Sequence, residues 1–246
     1  NTYNQAWLKN YETANGEYAN WNGLDQYNRN PYWDLYKNQN KSDKDVFRFT
    51  AKAIYNVDSH LKIQGTIGTD INDMNFQDYI ARTTPGKSAG QLQESVFKNR
   101  TLNAELLALY NNQFGDFDVN ATLGGNIFKV DNKTTIFTGL SEQMPGVIAI
   151  MNYQEQSVQQ NTYKKQINSI YGSASIGYDH TYYLEGTLRG DKASTLPTGN
   201  NTYVYPSVSG SWVFSEYLKN KNIINYGKFR ASWAKVGSDT DPYQLA

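Results

Sequence analysis

Three pairs of aspartates lie close together in the sequence and are the first candidates for chemistry. They are Asp70 with Asp73, Asp116 with Asp118, and Asp239 with Asp241. A glycosidase needs two carboxyl groups that face each other across the scissile bond, one of them with a raised pKa. Spacing along the chain does not establish that arrangement, and Asp116 and Asp118 fall in a predicted turn, where aspartate bonds its own backbone. The sequence therefore predicts no catalytic residue and no enzyme activity.

The sequence supports a metal or cofactor site no better than it supports a catalytic site. The chain has no cysteine, and its two histidines, His60 and His180, both fall in predicted short turns without a second ligand nearby. The tripeptide Asp239-Thr240-Asp241 offers oxygen ligands that suit calcium, but it lacks the alternating ligands and the closing glutamate of an EF-hand loop. We predict no metal ion and no cofactor.

One segment carries residues suited to binding rather than to catalysis. It is rich in aromatic and amide side chains, namely Trp21, Tyr27, Asn28, Asn30, Tyr32, Trp33 and Tyr36. Sugars present apolar C–H faces that stack on aromatic rings, and side-chain amides bond hydroxyl groups. If the segment is an outer loop, Trp21, Tyr32 and Trp33 are candidate substrate-binding residues. The alternative is that the rings pack the loop onto itself or onto a partner protein.

The composition restricts the class of protein. The 246 residues carry 23 basic and 23 acidic side chains, so no basic excess favours nucleic acid, and we predict no nucleic-acid partner. There are 20 Tyr, 10 Phe and 5 Trp, yet the mean hydropathy is −0.70. Many aromatics in a polar background favour a membrane barrel, a glycan-binding β protein or a secreted β-solenoid. No run approaches the about 18 apolar residues of a transmembrane helix.

A period of two residues runs through most of the chain and predicts β-strands. The first clear example places Phe47, Phe49, Ala51, Ala53 and Tyr55 on one face. The same alternation recurs, giving eight predicted strands near residues 47–55, 61–71, 101–110, 117–127, 170–178, 182–191, 207–214 and 229–233. Residues 1–44 show no clear alternation. We predict a loop-rich extracellular segment at 1–44 and barrel strands with long outer loops at 45–246.

The connections between the predicted strands also alternate. Short ones near residues 58–60, 111–116 and 179–181 interleave with long ones at about 73–98, 129–165 and 192–203. A further connection at 216–227 holds a predicted helical turn at 216–219. Short turns at one end, long loops at the other and strands of about 10 residues are typical of outer-membrane barrels. The pattern favours an antiparallel transmembrane β-barrel over a soluble sandwich, in which the apolar face would be the core.

The two faces of the predicted strands differ in chemistry. Polar side chains predicted to line the barrel interior include Lys62, Asp70, Glu105, Asp118, Glu185, Arg189 and Arg230. The other face holds small and aliphatic side chains and ends in an aromatic residue, at Tyr55, Tyr110, Tyr178, Trp212 and Trp233. Aromatic rings at strand ends suit the headgroup region, which offers them apolar and wet surroundings together.

Several segments resemble the SusC/RagA family of TonB-dependent outer-membrane transporters. They lie at residues 30–33, 188–191 with 194–197, 205–216 and 228–240. The last two read YPSVSGSWVFSE and KFRASWAKVGSDT, and they resemble mid-barrel sequences of the family in order and spacing. The likeness covers about residues 30–246 and is densest from about residue 182 onward.

The resemblance implies a wall segment of a barrel with about 22 strands. It further implies a bacterial outer-membrane location with surrounding lipid, import of oligosaccharide or peptide fragments, and a SusD-like surface lipoprotein as partner. Energy would come from the TonB complex through parts missing here, since the plug domain and TonB box are absent from this chain.

The chain begins at Asn1 without an initiator methionine or apolar signal, which predicts a processed protein or a fragment. Eight strands can close a small barrel alone, but a piece of a larger wall is the prediction. The alternative function is a secreted or surface β-protein that binds glycans through Tyr-, Trp- and Asn-rich loops.

Overall fold

The computed structural model describes residues 5–20, 26–197, 199–218, 225–237 and 240. The strands are β1 (Gln39–Asn56), β2 (Leu61–Ile80), β3 (Gln91–Phe114), β4 (Phe117–Glu142), β5 (Tyr153–Tyr178), β6 (Tyr182–Ala193), β7 (Thr202–Trp212) and β8 (Phe229–Ala234). Two short α-helices, α1 (Gln5–Leu8) and α2 (Pro31–Tyr36), precede β1, and 3-10 turns occur at Ile150–Asn152 and Phe214–Tyr217. Among the described residues, no helix has the length and apolar character needed to cross a membrane.

Within the described residues, each strand pairs with the next one along the chain in a single eight-stranded antiparallel sheet. The predicted all-β class and the predicted strand number are therefore confirmed. The short turns lie at or next to the predicted positions. β1 and β2 are joined at residues 57–60, β3 and β4 at 115–116, and β5 and β6 at 179–181.

Two predicted long connections are wrong in extent. β2 continues to Ile80 before β3 begins at Gln91, and β4 continues to Glu142 before β5 begins at Tyr153. The strand extensions were missed because polar residues occupy both of their faces, as in the run QEQSVQQNT at 154–162. A sheet is held by backbone hydrogen bonds, which form whether or not the side chains alternate. Strand pairing thus extends through sequence that carries no period-two signal.

The register of β5 to β8 explains why alternation marks these strands. Leu188 of β6 lies opposite Gly172 of β5 and Pro206 of β7, while the next residue, Arg189, lies opposite Tyr171 and Tyr205. Directly opposed residues of antiparallel strands point to the same side of the sheet. One face of these strands is consequently apolar and the other polar, and we call them the apolar face and the polar face.

The chain divides into two compact units. The first comprises Asn1–Phe47, Ile71–Asn99 and Asn132–Thr162, and the second comprises Arg48–Asp70, Arg100–Asp131 and Tyr163–Ala246. The first unit has a buried apolar cluster formed by Tyr18, Trp33, Tyr79, Ala81, Leu92 and Tyr153, with Tyr11, Ile148 and Ile150 packed against it. In the second unit most large aliphatic side chains are exposed.

Candidate functional site

The predicted binding segment contains helix α2, which starts with a well-formed N-terminal cap. The Asn30 side chain accepts a hydrogen bond from the Tyr32 backbone N–H at 3.0 Å, and Pro31 occupies the first helical position. Asparagine at the cap and proline after it are favoured because the cap satisfies a free N–H and proline has none to satisfy. The Asn30 amide also donates to the Leu8 carbonyl at 2.9 Å, and Asn30 is fully buried. In this structure Asn30 holds the fold of the segment.

Trp33 lies inside the buried cluster of the first unit. It is only 1% exposed, and Tyr18 meets its ring edge-on with centroids 5.3 Å apart. The indole N–H donates to Thr84 Oγ1 at 2.8 Å, and that hydroxyl donates to the Ala81 carbonyl at 2.7 Å. The buried polar atom of Trp33 is therefore satisfied, and its ring packs the core.

Tyr32 is more accessible than Trp33 and belongs to a stack of three tyrosines. Its ring lies 6.2 Å from that of Tyr36, which in turn lies 5.5 Å from that of Tyr11. Tyr36 is exposed, so this stack presents aromatic surface to solvent. The third predicted binding residue, Trp21, lies outside the described residues, and substrate contact by these side chains stays a prediction.

A cleft of about 430 Å³ opens beside α2 in the first unit, and we call it the Glu142 cleft. Its charged lining residues are Glu12, Glu17, Lys37, Arg82 and Glu142. Lys37 forms an ion pair with Glu12, and its ammonium group lies 5.9 Å from the centre of the Trp33 ring. The volume falls within the range of small-ligand sites in proteins. Sequence reasoning missed this cleft because its lining comes from segments far apart in the chain.

Glu142 is the buried acid of the cleft, with only 5% of its surface exposed. Its Oε1 accepts hydrogen bonds from the Tyr79 hydroxyl at 3.0 Å and from the Gly146 N–H at 2.9 Å. Its Oε2 is buried and has no hydrogen-bond partner among the described residues. Burial, and next the Glu142 carboxylate, raise the pKa of Tyr79 to about 12 and also raise the pKa of Tyr153. Both phenols are therefore neutral at physiological pH.

Asn152 fixes the loop that follows Glu142. Its side-chain amide donates to the carbonyl oxygens of Met144 at 2.7 Å and Val147 at 2.9 Å, and its Oδ1 accepts from the Met144 N–H at 2.9 Å. A buried amide that uses both donor and acceptor substitutes for missing backbone pairing. The loop that closes one side of the Glu142 cleft is thereby held in one conformation.

The polar face of the second unit carries a network of charged and hydroxyl groups. The Tyr171 hydroxyl donates to Glu105, and Arg189 lies over the Tyr171 ring. Arg189 also donates to Asp191 at 2.8 Å and to Ser169 at 3.0 Å. Of the polar residues predicted from alternation, the structure brings Glu105 and Arg189 together through one tyrosine. The tyrosine itself was not predicted to be part of this network.

Other predicted polar residues form separate pairs. Arg48 donates to Asp70 at 2.6 Å, and His180 in the β5–β6 turn lies 3.4 Å from Asp118 on β4. These surface pairs contribute little stability because water competes for both partners. Among the described residues, no three His, Cys, Asp or Glu side chains lie close enough together to hold a metal ion.

The sequence matches no family model and no curated protein. Solved structures do match. A chain of the RagAB peptide transporter aligns with a TM-score of 0.78, and chains of the RagAB peptide importer in its closed-closed and open-open states align with TM-scores of 0.73 and 0.72. Each is 14% identical to this chain and covers 84% of it. The present chain has the fold of part of RagAB. This confirms the predicted resemblance at the level of fold, and the chain spans about a quarter of the length of the RagAB chains, at 24%, 24% and 23%.

In this RagAB-like sheet the apolar face is continuous from strand to strand. Exposed aliphatic side chains on it include Leu106, Leu123, Ile170, Leu184 and Leu188. Aromatic contacts lie at the strand ends, where the Phe117 and Tyr178 rings are 4.8 Å apart and the Trp212 and Phe214 rings are 6.0 Å apart. A water-exposed surface of this kind is unusual for a soluble protein, whereas the lipid-facing wall of a barrel requires it.

The three aspartate pairs named from the sequence have different surroundings in the RagAB-like fold. Asp70 forms the ion pair with Arg48, while Asp73 has one buried carboxylate oxygen without a hydrogen-bond partner among the described residues. Asp116 lies in the β3–β4 turn, as predicted, and its carbonyl accepts from the Asp179 N–H at 2.9 Å. Asp239 and Asp241 lie outside the described residues.

Proposed function

We propose that this chain forms part of the wall of an outer-membrane transporter that imports peptides. The likeness to RagAB peptide transporter and importer chains supports transport, and their substrate favours peptides over oligosaccharides. The chain would act by binding and guiding a solute, without breaking bonds in it.

The observation that carries this proposal is the apolar face of the second unit. Leu188 is 56% exposed there and lies opposite Gly172 and Pro206, neither of which covers it. Apolar side chains in water cost about 25 cal/mol for each Å² exposed. Lipid acyl chains remove that cost, because they are as apolar as leucine itself.

We further propose three partners for the transporter. Outer-membrane lipid contacts the apolar face, a SusD-like surface lipoprotein lies on the extracellular side near residues 1–44, and the TonB complex acts through other parts of the transporter. Strands β3 to β5 have 24 to 26 residues, well beyond the about 10 that a tilted strand needs to cross the hydrocarbon. The excess length supports an extension into water that meets solute and partner.

Extraction of the native protein tests this function. Membranes are solubilised in detergent and the intact mass is measured, together with the proteins that co-purify. We expect a detergent-dependent species several times heavier than 27.9 kDa, with a tightly bound lipoprotein. A species near 27.9 kDa that stays in solution without detergent would overturn the proposal and favour a glycan-binding surface protein.

A further inference from the structure

The apolar face of the second unit differs in chemistry between its two ends. Beside the β3–β4, β5–β6 and β7–β8 connections it finishes in aromatic side chains, at Phe117, Tyr178, Tyr182, Trp212 and Phe229. At the opposite end the same face finishes in four exposed basic side chains, namely Arg100 on β3, Lys129 on β4, Lys164 on β5 and Lys192 on β6. We call these four residues the basic rim. Between the two ends, the described strands of the second unit place no charged residue on this face.

The β5–β6 register places Lys192 on the apolar face. Lys192 lies directly opposite Asn168, and two residues along each strand Gly190 lies opposite Ile170. Side chains two residues apart on a strand point to the same side of the sheet. Lys192 therefore shares the side of Ile170, which is 66% exposed. Asn168 in turn lines a shallow groove of about 710 Å³ on this face.

The rim residues of β3 and β4 continue the same face beyond this groove. Ala104 on β3 and Ile127 on β4 both line the groove. Arg100 lies four residues before Ala104, so strand alternation gives it the same side. Lys129 lies two residues after Ile127 and has that side for the same reason. Because β3 and β4 are antiparallel neighbours, both residues lie at the end of the sheet away from the β3–β4 turn.

Most of the positive charge of the basic rim is not neutralised. The ammonium group of Lys164 pairs with Asp131 on β4 at 3.4 Å. Asp131 lies two residues after Lys129 and is the one acid on this side of the described strands of the second unit. Arg100, Lys129 and Lys192 form no ion pair with a described residue. Three exposed cations therefore border an apolar surface without a partner among the described residues.

An anionic lipid headgroup complements this arrangement. Short turns lie on the periplasmic side of outer-membrane barrels, so the basic rim lies at the level of the outer leaflet. Each Lys or Arg near a membrane surface strengthens the association of anionic lipid by about fivefold. A guanidinium binds phosphate through two parallel hydrogen bonds, and an ammonium group binds it as a point charge. A zwitterionic headgroup gains less, because the rim repels its cation.

We infer that the basic rim binds the phosphate group of an anionic lipid in the outer leaflet, and that an acyl chain of this lipid lies in the adjoining groove. The site rests on the proposed membrane wall and names the lipid that contacts it. Leu106 and Ile127 line the groove and are 60% and 43% exposed, so an acyl chain there contacts both. The headgroup and the chain of one molecule thus meet the charged and the apolar parts of the same face. Free phosphate lacks the chain and should bind far more weakly.

Photolabelling of the full-length transporter in phosphatidylcholine nanodiscs tests this at neutral pH. The probes are phosphatidic acid and phosphatidylcholine, each added in trace amount and each with a diazirine at the same position of one acyl chain. Labelled residues are identified by peptide mass spectrometry. We expect phosphatidic acid to label residues 102–106 and 125–129 at least about fivefold more than phosphatidylcholine does. The two probes should label the aromatic end, at residues 176–184, equally.

Competition distinguishes a lipid from a free anion. Unlabelled phosphatidic acid should suppress the preferential labelling, whereas inorganic phosphate at the same concentration should not. Suppression by inorganic phosphate would overturn the lipid as the ligand and indicate a site for free anions. Equal labelling by both probes at residues 102–106 and 125–129 would overturn the basic rim as a binding site.

Substitutions assign the preference to the rim. The combined variant Arg100→Gln, Lys129→Gln and Lys192→Gln removes the three cations without ion partners, and it should label equally with both probes. Lys62→Gln is the matched control, because Lys62 is an exposed cation on β2 that alternates with Leu61 and so lies on the polar face. It should keep the wild-type preference. A preference that persists in the combined variant would contradict the assignment, and the two probes on the wild type remain decisive if that variant does not fold.

The phosphatidylcholine probe separates this site from the proposed function. Labelling of the apolar face by both probes to the same extent at both ends would overturn the basic rim and leave the membrane wall in place. Labelling of these strands by neither probe would overturn the membrane wall and the lipid site together.

Discussion

Tyr171 lies directly opposite Arg189 in the β5–β6 ladder, and the guanidinium carbon of Arg189 is 5.2 Å from the centre of the Tyr171 ring. From that position the Tyr171 hydroxyl donates to Glu105 on β3. Since β4 lies between β3 and β5, the ring must cross β4. It does so at Gly124, where a side chain would leave no space for it.

Gly124→Ala should therefore destabilise the second unit. A Cβ at this position would lie 2.6 Å from a Tyr171 ring carbon and 2.7 Å from Leu107, so both side chains must shift. Overpacking of this kind costs about 1–3 kcal/mol. The measurement is the thermal unfolding temperature of the full-length protein in detergent.

Gly125→Ala is the matched control, on the neighbouring residue and the other face. Its nearest contact would be the Ser169 carbonyl at 3.6 Å, which is ordinary van der Waals distance. An equal loss of stability in both variants would show that the close approach of Tyr171 to Gly124 is not the cause.

The apolar face leads to a second prediction, that Leu188→Arg impairs assembly in the membrane. The new guanidinium would project where Leu188 is now exposed beside Gly172. Arginine on the lipid face near mid-depth costs about 2–4 kcal/mol. The measurement is the fraction of protein in the outer membrane that keeps folded, heat-modifiable mobility on gels.

Thr187→Arg places the same side chain one residue away, on the polar face, where Thr187 now contacts Ser207 at 2.6 Å. We expect near-normal assembly for this control because a wet interior tolerates charge. Equal impairment of both variants would argue against lipid contact at Leu188.

The sequence predicts the second unit well and the first unit poorly, for a physical reason. Residues such as Phe49 to Tyr55 alternate because one face of the strand avoids water, and the period of two residues reflects that difference. The preceding residues of β1, from Gln39, are polar on both faces. Their strand pairing therefore produces no period-two pattern in the sequence. Only the backbone hydrogen bonds to the neighbouring strands identify such extensions, and these bonds are seen in the structure but not in the sequence.

The candidate binding residues show the same limit. Residue type alone indicates that an aromatic side chain could bind a ligand, but it does not distinguish Trp33, which is buried, from Tyr36, which is exposed. Asn30 before Pro31 was an available signal for a helix cap. Glu142 carries no signal at all, because its burial and its hydrogen bond from Tyr79 depend on segments that are far apart in the sequence.

The bond between Trp33 and Thr84 leads to a third prediction, that Thr84→Val loosens α2. Valine keeps the shape of threonine but removes the acceptor of the Trp33 indole N–H. Thr84 is fully buried, so an unpaired donor costs about 1–3 kcal/mol. Amide hydrogen exchange in residues 32–37 should accelerate by about fivefold to 150-fold.

Thr13→Val is the control for this change, since Thr13 Oγ1 also accepts a hydrogen bond, from the Glu17 N–H at 3.1 Å, but in an exposed position. Water can replace that acceptor, and exchange in α2 should not change. Unaltered exchange in Thr84→Val would show that the Trp33–Thr84 bond does not hold the helix.

The turn between β1 and β2 leads to a fourth prediction, a loss of local order in acid. Asp58 Oδ1 accepts from the backbone N–H groups of His60 at 2.7 Å and Leu61 at 2.8 Å. These bonds, that of His60 first, lower the pKa of Asp58 below its usual 3.8. A carboxylate with a lowered pKa stabilises the fold above the unfolded value, and the effect is lost as pH falls through the folded value.

The amide resonances of His60 and Leu61 should therefore move together when the pH falls below about 3.8, with a midpoint below that value, as their acceptor becomes protonated. Asp58→Asn retains an uncharged acceptor oxygen and should abolish this titration while the turn persists at neutral pH. The check is NMR of the full-length protein in detergent. A titration of the same two amides in Asp58→Asn would assign the effect to another group, and none in the wild type would rule out the two hydrogen bonds.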